Sequence, residues 1–97
     1  MQPVDYWIDL GFDHHLHFTF YKDDPYAGAR IKHKRLDTGA DCEGFIAFTG
    51  HSWEQSFQGT IQSWEIQQMH PLTCSPSILC RSCGDHGFIR EGKWVLA

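Results

Sequence analysis

The chain has 97 residues and a formal net charge of −4, which is the size of one domain, expected to span residues 1–97. At this length folding hides only about 60–65% of the surface the unfolded chain exposes. An apolar fraction of 41%, with four Trp, seven Phe and three Tyr, excludes a disordered chain, and the acidic balance lacks the basic excess of a general nucleic-acid binder.

The N-terminus Met1-Gln2-Pro3-Val4-Asp5 has no basic region followed by an apolar stretch, so no leader is expected. No segment reaches the roughly 18 apolar residues of a membrane helix. An intracellular chain with reduced cysteines is the resulting expectation. Aromatic and β-branched residues outweigh Ala and Leu, which favours strands.

Segment 14–21 alternates: Leu16, Phe18 and Phe20 point one way, and His15, His17, Thr19 and Tyr21 the other, as in a half-buried strand. Asp23-Asp24-Pro25 ends it, and Ala27-Gly28-Ala29 reads as loop. A second alternating stretch covers 30–36, with Ile31, His33 and Arg35 on one face. Asp37-Thr38-Gly39 signals a turn, and Phe45-Ile46-Ala47-Phe48 is a short apolar run of strand type. Ser52 to Gln55 fits one helical turn capped by Ser52 with Gln55 in the capping-box position, ended by Gly59. Residues 61–68 alternate again around Trp64 and Ile66. Pro71 and Pro76 make 70–79 irregular, and 87–96 reads as a hairpin with Glu91-Gly92 at its tip. The expectation is a mainly β fold: a small zinc-stapled sheet of five to six short antiparallel strands with at most one short helix.

Cys80-Arg81-Ser82-Cys83-Gly84-Asp85-His86 carries the chemistry. Cys-x-x-Cys sets two thiolates on one side of a tight turn, and His86 follows three residues later. Tetrahedral zinc takes four Cys or His ligands at about 2.0–2.3 Å. For the fourth position Cys42, Cys74, His33 and His70 compete. Cys42 lies in a turn-rich loop and would close a long stretch of chain on binding, which helps a small fold most. The expected ligands are Cys42, Cys80, Cys83 and His86, with His33 as the alternate for Cys80 or His86. A redox pair and ordinary buried thiols compete with metal. Cys-x-x-Cys oxidoreductases need a βαβ setting that is missing here, and buried free thiols are common.

His14-His15-x-His17 is a second histidine group. Its alternate members could chelate another metal, but no nucleophile or carboxylate triad accompanies them, so a solvated or partner-binding face is the better reading. Possible partner-binding residues are His15, His17, Tyr21, Asp23 and Asp24.

The stretch Pro76-Ser77-Ile78, Cys80, Cys83-Gly84-x-His86-Gly87-Phe88-Ile89, Gly92-x-Trp94 resembles the C-terminal signature of a family of small uncharacterised proteins of tailed bacteriophages and prophages. Upstream His33, Asp37-Thr38-Gly39 and Cys42-x-Gly44 are similar to the family's middle segment, so the likeness covers about residues 31–48 and 62–96. Cys74 stands where such relatives carry an apolar residue, which lowers its claim as a ligand. The resemblance implies a phage origin and a place in the cytoplasm of the bacterial host. It supports Cys42, Cys83 and His86 as ligands and implies no activity.

Three functions are then expected in order. The first is a zinc-stapled module that binds a host bacterial protein complex, such as an inhibitor of a CRISPR-type immune system. Its signs are the acidic first quarter, the abundant aromatics and the lack of a catalytic constellation. The second is a metal-dependent hydrolase with His14, His15 and His17 near an open zinc. The third is a nucleic-acid-binding zinc module using Arg30, Lys32, Lys34 and Arg35. An enzyme is the less favoured class, and no membrane partner is expected.

Overall fold

The computed structural model of the chain describes residues 5–58 and 60–97. The first sheet contains β1 (Ile8–Gly11), β2 (His14–Tyr21), β3 (Asp24–Lys34) and β4 (Asp41–Ala47), antiparallel and in that order. A helical turn, α1 (Ser52–Ser56), follows. Then come the pair β5 (Glu65–Gln68) and β6 (Thr73–Ser75), and a three-stranded sheet of β7 (Ile78–Leu79), β8 (His86–Arg90) and β9 (Lys93–Leu96). The chain is mainly β with small antiparallel sheets, as its composition implied. It divides into nine strands among the described residues, more than the five or six expected.

The surplus comes from places where turn and proline signals hide pairing. Phe12 and Asp13, with φ of 52° and 58°, make a two-residue turn from β1 into β2; Lys22 and Asp23, at 49° and 62°, make another from β2 into β3. Residues in this left-handed conformation suit tight hairpins because the turn's twist matches that of the strands. Glu91-Gly92 forms the third such tip, where the sequence placed it. The irregular 70–79 segment, with cis peptides before Pro71 and Pro76, still fits in short β6 and β7.

Residues 27–29 are strand, not loop, because the small side chains make room for Trp53. A Cβ on Gly28 would lie 2.8 Å from the Trp53 ring and 2.6 Å from the Ile46 carbonyl oxygen. Phe20, expected inward, is exposed. The register slips between Thr19 and Tyr21, and an extra residue in one strand turns side chains off the pleat's regular alternation.

One apolar cluster joins the sheets. Leu10, Leu16, Phe18, Ile31, Ile46 and Phe48 of the first sheet region meet Trp64, Leu72, Cys74, Ile78, Ile89 and Trp94. Trp94 lies flat against Gly87 across the β8–β9 hairpin, where a Cβ would sit 2.5 Å from its ring. Overpacking of this kind costs about 1–3 kcal/mol. Gly87→Ala is therefore expected to lower the melting temperature by at least about 5 °C, readable by circular dichroism; an unchanged melting curve would show that Trp94 swings aside.

Helix α1 is capped from outside its own segment. His51, not Ser52, is the N-cap and offers no side-chain bond. Instead the Asp24 carboxylate accepts from the Ser52 amide at 2.9 Å, the Tyr26 amide at 3.0 Å and His51 Nδ1 at 3.0 Å. Ser52 Oγ donates to the Tyr21 carbonyl at 2.7 Å, and Gln55 donates to the Gly50 carbonyl. Burial raises the Asp24 carboxyl, but these amides and His51 outweigh it and hold it below its ordinary value. A depressed carboxyl stabilises fully above the unfolded value of 3.8 and loses that contribution as pH falls through the folded one. Docking of α1, followed by Trp53 fluorescence in a variant lacking the other tryptophans that still folds, is expected to loosen below about pH 4. Asp24→Asn should remove that acid step.

Candidate metal centre

The β3–β4 hairpin builds half of the site. Its turn is closed by the Arg35 amide on the Ala40 carbonyl at 2.8 Å and the Gly39 amide on the Arg35 carbonyl at 2.9 Å. This register sets His33 directly opposite Cys42, and residues opposite each other on one face bring their Cβ atoms to about 4.5–5.5 Å. The other half is the turn from β7 to β8. There the Gly84 amide donates to the Cys80 carbonyl and the Cys80 amide to the Asp85 carbonyl, both at 2.7 Å. Gly84 has φ of 84°, a conformation glycine adopts without a Cβ penalty.

The halves bring His33, Cys42, Cys80 and Cys83 together, with one ligand atom from each within 4.8 Å of all the others. Cys42 Sγ lies 3.6 Å from Cys80 Sγ, and His33 Nε2 lies 3.4 Å from Cys83 Sγ. A tetrahedral ion with ligands at about 2.0–2.3 Å requires neighbouring donors about 3.3–3.8 Å apart. A disulfide would need about 2.05 Å, and all four cysteines are free thiols. The cluster could hold a metal ion, and the Cys42–Cys80 and His33–Cys83 separations are those of neighbouring ligands.

Electrostatics point the same way. Burial raises Cys80, but the Cys83 and Ser82 amides directed at its sulfur, with the neighbouring thiols, hold it below the ordinary cysteine value. Cys42 is pushed up by burial and by its proximity to Cys80 and Cys83. The Cys42 thiol thus resists ionisation, and a divalent cation among the sulfurs removes that resistance. Arg35 fastens the two halves: its guanidinium donates to Ser82 Oγ at 2.7 Å and the Ser82 carbonyl at 3.1 Å, and forms two 2.9 Å bonds to the Asp37 carboxylate. Asp37 holds that guanidinium well above its usual range.

The expected ligand His86 is elsewhere. Asp85, Gly87 and Ile89 face inward and are buried, so the alternation of β8 turns His86 outward, where its Nε2 is 2.8 Å from Ser77 Oγ. The alternate, His33, takes the fourth place; the other three expected residues are where the spacing put them. Cys74 is remote from the group, paired across β5–β6 with Ile66, and burial pushes its thiol up to about 12.

Of the histidines that the hydrolase reading sets near the metal, His14 alone lies beside the cluster, together with Asp85, for which the sequence carries no signal. His14 lies on the buried Leu16–Phe18 face of β2, and its Nε2 meets Asp85 Oδ2 in a short hydrogen bond, while its Nδ1 is 2.6 Å from the Phe12 carbonyl. Its ring stacks on Trp94 at 4.1 Å and on His33 at 5.2 Å between centroids. His14, His33 and Asp85 are also close enough to be considered as ligands. However, His14 and Asp85 are closer than the roughly 3.3 Å between adjacent ligands of one ion. They are a hydrogen-bonded pair supporting the cluster from behind.

His15 and His17 stand on the outer face of β2, beside Asp9 at 3.8 Å and Asp5 at 3.3 Å. Tyr21 and Asp23 are exposed at the β2–β3 turn, but Asp24 is committed to α1. On the basic strand Arg30 pairs with Glu43 and Lys34 with Asp41. No helix among the described residues is long and apolar enough to cross a membrane. A scan against family models and searches of curated proteins and of solved structures each found no match to the chain.

Proposed function

We propose that the chain is a binding module whose fold is stapled by one structural zinc at His33, Cys42, Cys80 and Cys83. The observation carrying this is the count and convergence of donors: one imidazole and three thiols lie within 4.8 Å of one another, the number and type of ligand that fills the shell of a zinc ion. Thiolate and imidazole together favour zinc over the hard cations magnesium and calcium. A shell filled by protein leaves no position for water, so the ion shapes the fold and activates nothing. That weighs against a hydrolase, as does the placement of His15 and His17 on the far face of β2.

A host bacterial protein is the proposed partner, and inhibition of an immune complex is the finer proposal that the phage-like signature suggests. Of the basic run, Arg30, Lys34 and Arg35 are paired with carboxylates and Lys32 alone is not, so nucleic acid ranks below protein. The test is to immobilise the zinc-loaded chain, pass a nuclease-treated bacterial lysate over it and identify what is retained. A specific protein partner supports the reading. Retention only without nuclease, or zinc-dependent hydrolysis by the chain alone, contradicts it.

A further inference from the structure

The outer edge of β4 borders a groove of about 440 Å³. β4 is the last strand of its sheet. The Phe48 amide donates to the Ala27 carbonyl, and within the antiparallel register this parity directs Cys42, Gly44 and Ile46 to β3. The main-chain groups of Glu43, Phe45 and Ala47 therefore point outward. The far end of this edge already accepts a parallel neighbour: the Trp64 amide donates to the Ala47 carbonyl and the Thr49 amide to the Trp64 carbonyl. Among the described residues no main-chain partner meets the outward groups of Glu43 and Phe45.

Natural sheets seldom leave such an edge bare without a bulge or cover. Here it is the floor of a groove walled by Phe45, Trp53 and Leu79. Phe45 and Leu79 are exposed, and Phe45 meets Trp53 edge-on at 4.1 Å. Arg81, in the Cys80–Cys83 turn, also lines the groove. Arg81 is exposed, and no hydrogen bond or ion pair among the described residues engages it. Glu43, by contrast, is taken by Arg30.

We infer that this groove binds an extended peptide segment of a partner protein, which adds a strand to the Glu43–Phe45 edge. The peptide sets an apolar side chain against Phe45 and Leu79 and a carboxylate on Arg81. A strand is the occupant because the edge offers donor and acceptor groups every second residue, about 6.6–6.8 Å apart, the repeat an extended backbone matches. Main-chain bonds of this kind supply affinity, and the alternate side chains supply specificity. The metal turn both holds the fold and presents Arg81 to the partner. This deepens the binding-module reading and rests on it.

The test is selection of displayed random nonapeptides on the zinc-loaded full chain, followed by titration of the enriched peptides. Enrichment of an apolar residue with a nearby Asp or Glu supports the inference. So does at least tenfold weaker binding to Arg81→Glu, recovered when the peptide acid becomes Lys, with Phe45→Ala also weakened and both variants retaining zinc and the wild-type melting point. Enriched peptides indifferent to both substitutions overturn the groove assignment and leave the binding module standing. No enriched peptide, with a lysate partner still captured, overturns peptide recognition alone; neither peptide nor partner overturns the module as well. A concentration-dependent dimer dissolved by Arg81→Glu would assign the edge to a second copy and overturn the inference.

Discussion

Stripping zinc with a chelator, or replacing Cys83 with Ser, is expected to unfold the whole domain. The ion would join residues 33 and 42 of one hairpin to residues 80 and 83 of a turn that opens the last three-stranded sheet, so its loss separates the two sides of the core. Structural zinc binding in small domains is worth about 10–16 kcal/mol, whereas domains of this kind are stable by about 5–15 kcal/mol in all. The expected result is loss of the near-ultraviolet dichroism and collapse of amide dispersion in NMR, reversed by added zinc in the unsubstituted chain only. A folded, metal-free Cys83→Ser protein would show that the hydrophobic cluster suffices alone.

The second large effect is expected at Asp85. Its carboxylate is buried and bonded to buried His14, whose other nitrogen already faces the Phe12 carbonyl. Removing one partner of such a pair leaves a polar group in the core with nothing to meet it, at a cost of about 1–3 kcal/mol. Asp85→Ala should thus lower the urea midpoint far more than Asp85→Asn, which keeps an acceptor for His14. Zinc affinity should fall in step, because His14 stacks against the proposed ligand His33 and outer partners that orient a ligand ring contribute about 10–100-fold in affinity. Equal stability of Asp85→Ala and the unsubstituted chain would mean that His14 finds another partner.

Much of this arrangement was legible in the residues. The alternation of 14–19, the Glu91-Gly92 tip and the Cys80-x-x-Cys83 turn are local signals, and each lies where its pattern puts it; the alternation fails at Phe20, where the register slips. His86 misled because proximity in sequence was taken as proximity in space; the inward alternation of Gly87 and Ile89 had already turned it away. His33 could have been found by symmetry: it and Cys42 are equally distant from the Asp37-Thr38 centre of the hairpin. His14 could have been found by extending the Leu16 and Phe18 face back two residues. Asp85 carried no such signal, since a carboxylate buried 71 residues from its partner is fixed only by how two sheets pack. The extra strands were hidden because the turn residues Phe12 and Lys22 are unusual in the left-handed conformations they adopt.

The central claim is that His33, and not His86, completes a closed shell with Cys42, Cys80 and Cys83. Zinc-edge X-ray absorption on the His86→Ala variant tests it most directly. The prediction is an unchanged first shell of three sulfurs at about 2.3 Å and one nitrogen at about 2.0 Å, with one zinc per chain. Loss of the nitrogen, fewer than three sulfurs, or an added water oxygen would contradict it.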